Sequence, residues 1–287
     1  MITETQKTQI VERLKDYVER IGSQNKAANS LKVSTATVSQ ILNSNWELLS
    51  DEMWRAIAAH IGYSAIEWTT VETRDFKTMN RLLEDAQVNS NVFAVIGEAG
   101  TGKTFAIRSY SEGNKRVYSL QCAEYWNRKV FLQELLGAMG RDYSGFNVPE
   151  MMYEVVRGLK VQDRPLIILD EADKLTDQVL YFFITLYNQL EDHCGIVLCA
   201  TDHLSKRIRR GLKLNRKGYK EIYSRIARRF IELHGSGPSD VTAICMANGI
   251  TDRSQIRQVL EDSEGDLRRL RRKIHALKAV EQPLNAN

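Results

Sequence analysis

Cysteine is scarce in this chain. Its 287 residues include four, Cys122, Cys194, Cys199 and Cys245, and no two form a CxxC pair. That excludes the ligand spacing of a small zinc site and the dense framework of a secreted disulfide scaffold. Buried, reduced thiols are expected instead. No apolar run approaches the roughly 20 residues that a membrane helix needs, and the start, Met1-Ile2-Thr3-Glu4-Thr5, is polar. Secretion and membrane insertion are therefore not expected, and a cytoplasmic location is. Acidic charge is nearly missing from one stretch. Residues 203–234 hold eleven basic and two acidic groups, against fourteen and nineteen in residues 71–202. The net charge of +4 hides this block; clustered charge of one sign is the footprint of a polyanionic partner. Composition is otherwise that of a folded chain, 43% hydrophobic and 26% charged, with length for about two or three domains.

The most informative stretch is Gly97-Glu98-Ala99-Gly100-Thr101-Gly102-Lys103-Thr104. It follows the apolar run Val92–Ile96 and precedes a helical pattern from Phe105. A strand, a glycine-rich loop and a helix start in this order form a phosphate-binding loop. Glycines let consecutive backbone N–H groups curl round an anion, and the helix offers its free N–H groups and positive dipole end. Lys103 reaches the β- and γ-phosphates of a nucleotide, and the Thr104 hydroxyl joins a Mg²⁺ shell.

Downstream, strand and helix patterns alternate. Residues 115–120 read as a strand, 130–139 and 151–159 as helices, and Pro165–Glu171 as a continuous apolar strand ending in two acids. Such a run suits a central parallel strand covered on both faces. Asp170 is positioned to hold Mg²⁺ through water and Glu171 to orient the attacking water. Residues 176–190 read as a helix and 195–201 as the next strand, with Thr201 at its C-terminal end, where open α/β sheets place ligands. Residues 230–233 make a fifth strand. Residues 239–248, 253–263 and 267–280 read as helices punctuated by Gly249 and Gly265, and 283–287 as a disordered tail.

Before the loop, residues 8–22 read as an amphipathic helix. Residues 24–31 and 35–42 flank a Lys32-Val33-Ser34 turn, and a further helix spans about 50–61. Apolar groups at Ala27, Leu31, Val33, Val38 and Ile41 let the two short helices cross closely, as in a helix-turn-helix. If this unit reads DNA, Ser34, Thr35, Thr37, Gln40 and Asn43 face the major groove. If not, it is a helical docking domain, which its near-neutral charge favours. Residues 62–80, with Tyr63, Trp68 and Phe76, are too aromatic for a loose linker.

Taken together, the Gly97–Thr104 loop, the strand 165–171, the strand ending at Thr201, the Ser224–Arg229 segment and Gly265-Asp266-Leu267-Arg268 resemble an AAA+ ATPase over about residues 75–280. The compact core behind an N-terminal helix-turn-helix is similar to the transposition ATPases of the MuB type, to which TnsC and IstB are related in kind. The resemblance implies an α/β fold with a parallel five-stranded P-loop core (81–235), an all-α helix-turn-helix domain (1–70, linker to about 80) and a small helical lid (236–287). It implies ATP and Mg²⁺ as cofactors, with Lys103 and Thr104 as Walker A contacts, Asp170 and Glu171 as the Walker B pair, Thr201 as first sensor and Arg268 as second. Arg225 resembles the finger that reaches a neighbour's γ-phosphate, with Arg228 and Arg229 as alternatives.

The same resemblance implies double-stranded DNA bound largely without regard to sequence, a ring or helical filament of subunits with shared ATP sites, and a transposase as partner. Arg128 and Lys129 resemble the phosphate contacts of DNA-wrapping assemblies. The block Lys206, Arg207, Arg209, Arg210, with Lys213, Arg216, Lys217 and Lys220, serves DNA or a neighbouring subunit. Because no transposase-type acidic triad is evident, the expected activity is an ATP-driven switch that releases DNA on hydrolysis. A replication initiator or helicase loader, and an ATP-regulated transcription regulator, are the alternatives.

Overall fold

The structure, a computed structural model, describes residues 2–281 apart from 48, 64–67 and 227. The expected tail 283–287 and part of the 62–80 linker lie outside the described residues. Helix starts follow from side chains that accept orphan backbone N–H groups. Thr3 and Gln6 form a capping box that begins α1 (Glu4–Ile21) earlier than its apolar spacing predicts. Ser23, Ser34 and Ser50 cap α2 (Gln24–Leu31), α3 (Thr35–Leu42) and α4 (Asp51–His60). Between α2 and α3, Lys32 takes the left-handed conformation (φ 57°) that glycine adopts more easily. Ile10, Leu14, Val38, Ile41, Trp54 and Ile57 close a core of their own beneath the two short helices.

The centre of the chain alternates strands and helices: α5 (Arg74–Asn89), β1 (Val92–Ile96), α6 (Lys103–Gly113), β2 (Val117–Gln121), α7 (Arg128–Ala138) and α8 (Val148–Lys160). After these come β3 (Leu166–Asp170), α9 (Asp177–Leu190), β4 (Gly195–Ala200), α10 (Asp202–Lys213), α11 (Tyr219–Arg225) and β5 (Phe230–Glu232). The five strands pair in parallel in the order β2-β3-β4-β1-β5. Both faces of the sheet are covered, which explains the unbroken apolar run in β3. Ile167, Leu169, Ile196 and Leu198 face a cluster built by α7 to α11. Leu166, Ile168, Val197 and Cys199 face Met79, Leu83 and Ile107 of α5 and α6. All four cysteines are free and buried. Among the described residues no helix is long and apolar enough to cross a membrane.

The C-terminal helices α12 (Pro238–Ala247), α13 (Arg253–Ser263) and α14 (Leu267–Glu281) share a small core around Val241, Ile244, Val259, Leu270 and Ile274. Trp68 and Val71 pack against it. The Asn248 amide also brackets Thr69, accepting its N–H and donating to its carbonyl, each at 3.0 Å. The chain ahead of α5 is thus fastened to the C-terminal bundle. The N-terminal helices meet the sheet domain through polar contacts. Arg20 donates to the Ser111 carbonyl at 2.6 Å, Lys115 pairs with Glu19 at 2.9 Å and Lys32 with Glu134 at 3.7 Å.

Candidate active site

The loop Gly97–Thr104 sits where β1 ends, with β3 and β4 ending beside it. Gly100 and Gly102 have φ of 85° and 92°, which turns the loop back over the start of α6. Lys103 Nζ lies against the loop, donating to the carbonyls of Gly97 (2.6 Å) and Glu98 (2.9 Å) and to Thr101 Oγ1 (3.3 Å). Burial lowers its pKa, although Asp170 nearby favours the charged form. An ammonium held by neutral carbonyls in a half-buried loop is available to any stronger anionic partner.

Thr104 Oγ1 donates to Asp170 Oδ2 at 2.6 Å. A hydroxyl and a carboxylate in contact beside the loop are a hard-oxygen donor pair of the kind Mg²⁺ takes. Asp170 is 4% exposed, and burial raises its pKa despite the Thr104 bond. Glu171 follows in the left-handed conformation (φ 56°). It accepts from Lys174 Nζ at 2.8 Å and from Gln121 Nε2, on β2, at 3.3 Å.

Thr201 ends β4 as expected, and a residue that sequence reasoning passed over fixes it. Asp173 accepts from Thr201 Oγ1 at 2.8 Å and from its N–H at 3.3 Å. Asp173 lies in the turn Ala172–Lys174, one helical turn after the acidic pair. Its one signal in the sequence was a third acid so close behind β3.

The C-terminal bundle closes the cavity. Leu267 N–H donates to the Gly100 carbonyl at 2.9 Å, and Asp266 Oδ1 caps α14 through the N–H groups of Arg268 (2.7 Å) and Arg269 (3.2 Å). The cavity is partly open and about 380 Å³. Its lining combines the polar side chains of Lys103, Thr104, Asp170, Thr201 and Arg268 with the apolar ones of Trp68, Val71, Phe76 and Phe105. Trp68 also has the Arg271 guanidinium over its ring at 5.4 Å.

The remaining expected residues lie outside this cavity. Arg225 is braced, its guanidinium 4.8 Å above the Tyr187 ring and donating to Asn188 Oδ1 at 2.9 Å; Arg228 and Arg229 are exposed. Arg128 and Lys129 stand exposed at the head of α7, beside Tyr125, which is 80% exposed. In α3, Thr35 is exposed, Gln40 is half-buried, and the Thr37 hydroxyl is bonded to Ser34 Oγ at 2.8 Å. The basic block does not form one surface. Arg209 lies over the Phe230 ring at 5.7 Å and Lys206 pairs with Asp202. Arg207 corrects the expectation of a DNA contact. Its guanidinium donates to Asp177 and, at 2.6 Å, to the Leu175 carbonyl, so its donors are spent inside the fold.

The parallel sheet and the loop at the end of β1 have the arrangement of an AAA domain. Residues 86–208 match the family described as AAA domain. Over 86% of its length, covering 88% of the relative, the chain is 22% identical to the Mu-like prophage FluMu DNA transposition protein B of Haemophilus influenzae. It is 25% identical to the ATP-dependent target DNA activator B of Escherichia phage Mu, over 80% of this chain and 75% of that protein. The same figures hold for the protein of that name from Escherichia phage D108. The resemblance to MuB-type transposition proteins is thus borne out. Among solved structures, NtrX from Brucella abortus in complex with ATP aligns with a TM-score of 0.50 at 12% identity, over 85% of this chain and 60% of that one. That likeness concerns the fold alone.

Proposed function

We propose that this protein is an ATPase that assembles on target DNA, presents it to a transposase and releases it on hydrolysis. The carrying observation is the convergence of Lys103, Thr104, Asp170, Glu171, Thr201 and Arg268 around one cavity closed by the C-terminal bundle. The relatives named as ATP-dependent target DNA activators support the DNA and transposition side of the reading. ATP suits this mixed lining, with its phosphates at the glycine loop and its base among Trp68, Val71, Phe76 and Phe105. Thr104 and Asp170 would hold Mg²⁺, which neutralises phosphate charge when bound.

The protein's own residues then have distinct tasks. Lys103 exchanges the loop carbonyls for phosphate oxygens. Glu171 leaves Lys174 and Gln121 to orient a water, and Thr201, held by Asp173, contacts the terminal phosphate or that water. Arg268 extends from the lid. Arg225 serves a neighbour's site, because a guanidinium already braced on Tyr187 loses little freedom in making the contact. Arg128 and Lys129 contact the DNA backbone, which positions a duplex without reading its sequence.

Two variants test the reading together. Glu171→Gln should bind ATP, hydrolyse it slowly and stay on DNA; Lys103→Ala should lose both nucleotide binding and ATP-dependent assembly. Rapid release of DNA by Glu171→Gln, or assembly of Lys103→Ala with ATP, contradicts the switch.

A further inference from the structure

Between α10 and the turn that follows it lies a concavity of about 440 Å³, outside the nucleotide cavity. His203, Lys206 and Arg210 recur at helical spacing and share one face of α10. Arg216 completes the wall from the turn. Asn215 takes the left-handed conformation (φ 50°), and the Arg216 N–H donates to the Gly211 carbonyl at 2.9 Å, which folds the turn back on the helix. A Cβ on Gly211 would lie 2.4 Å from the Tyr219 ring, so only glycine lets that ring seat against α10.

The floor is already neutral. Asp177 accepts from Tyr219 at 2.9 Å and from Arg207. Burial alone would raise its pKa, but these bonds together with the nearby charges of Arg207 and Arg216 outweigh burial and lower it. Asp177 is therefore a spent carboxylate. Arg210 and Arg216 are exposed, and among the described residues neither has an ion pair. The Lys206–Asp202 pair is exposed and cheap to exchange. Two unpaired guanidinium forks, an ammonium and an imidazole converging on one hollow match a tetrahedral oxyanion that protrudes from its carrier.

We propose that this hollow seats a backbone phosphate of duplex DNA, at a site separate from the head of α7. The proposal rests on the DNA-binding reading above. A duplex fits better than an acidic protein neighbour, because its phosphates follow one another along each strand, so the exposed Lys213 and Lys217 of the same segment also meet charge, which a single carboxylate does not supply.

The test measures binding of the full chain, with a slowly hydrolysed ATP analogue, to labelled duplexes of unrelated sequence across a salt series. Arg210→Gln with Arg216→Gln should weaken binding about tenfold on every sequence and reduce the salt slope by about 1. Arg128→Gln with Lys129→Gln should reduce the slope independently, and the two pairs should add. Arg207→Gln should instead lower the melting temperature, whereas the exposed Arg210 and Arg216 variants should melt like the wild type. If the Arg210/Arg216 variant keeps affinity and slope while the α7 pair lowers them, the pocket is not a DNA site. Loss of self-association without DNA, at unchanged slope, makes it a subunit contact and overturns the proposal. If the wild type fails to bind any duplex, the DNA-binding reading itself falls.

Discussion

Replacing Gly100 by alanine tests how the lid meets the phosphate loop. Gly100 has φ 85°, where a residue with a Cβ carries a strain of roughly 1–2 kcal/mol. The new Cβ would lie 2.3–2.7 Å from the carboxyl atoms of Asp266. Asp266 cannot simply rotate away, because its Oδ1 caps α14 through Arg268 and Arg269; losing such a cap costs about 1 kcal/mol. If the lid backs off instead, the Leu267–Gly100 hydrogen bond goes, about 1 kcal/mol more. The C-terminal bundle has its own core, so moving the lid away costs less than unfolding it. The same strain and lost contact weigh on the folded state, so Gly100→Ala should melt a few degrees below the wild type; with the lid displaced from the loop it should also bind ATP about 100-fold more weakly, the equivalent of about 3 kcal/mol. Titration calorimetry with ATP reads this directly. Gly113→Ala is the matched control: it lies in the last turn of α6 and its Cβ would meet nothing within 4 Å. In an Asp266→Ala background the clashing atoms are gone and Gly100→Ala should cost only the backbone strain. An equal cost in both backgrounds, or unchanged ATP affinity, refutes the reasoning.

Asp170→Asn separates stability from function. Burial raises the folded-state pKa of Asp170 above the ordinary carboxylate value. The folded state thus holds the proton more tightly, and this group's contribution to stability is lost as pH rises through that window. The asparagine variant should melt higher at pH 7, with a flatter pH dependence in the acid range, while losing Mg²⁺-dependent hydrolysis; a lower melting temperature at pH 7 counts against the assignment. Asp173→Ala frees the Thr201 side chain and should lower kcat with little change in KM for ATP, as steady-state kinetics would show. A change confined to KM would mean that Asp173 acts on binding rather than on Thr201.

Much of the architecture was legible because it depends on local pattern. Alternating apolar runs and turn residues gave all five strands and the three C-terminal helices to within a few residues. The 206–220 block was the least legible part. Its charges look alike in sequence, yet one face of α10 seals Arg207 onto Asp177 while another turns Arg209 to Phe230 and leaves Arg210 open to solvent. Asp173 and Lys174 were passed over because each acts on a side chain that the turn after β3 brings to it, and spacing alone does not reveal such a turn.

The sequence by itself determined the local shape of the loop. Eight contiguous residues and a strand ending in two acids set the turn and the adjoining carboxylates on which the proposed phosphate and metal contacts rest, because both depend on backbone conformations that local residue types dictate. The tertiary structure decided everything that joins distant segments. It brought Thr104 to Asp170 across 66 positions, tied Thr201 to Asp173, laid Leu267 on Gly100, and sorted the basic residues into buried braces and open donors. Those pairings depend on how helices settle on the two faces of one sheet, and residue order alone does not contain that information.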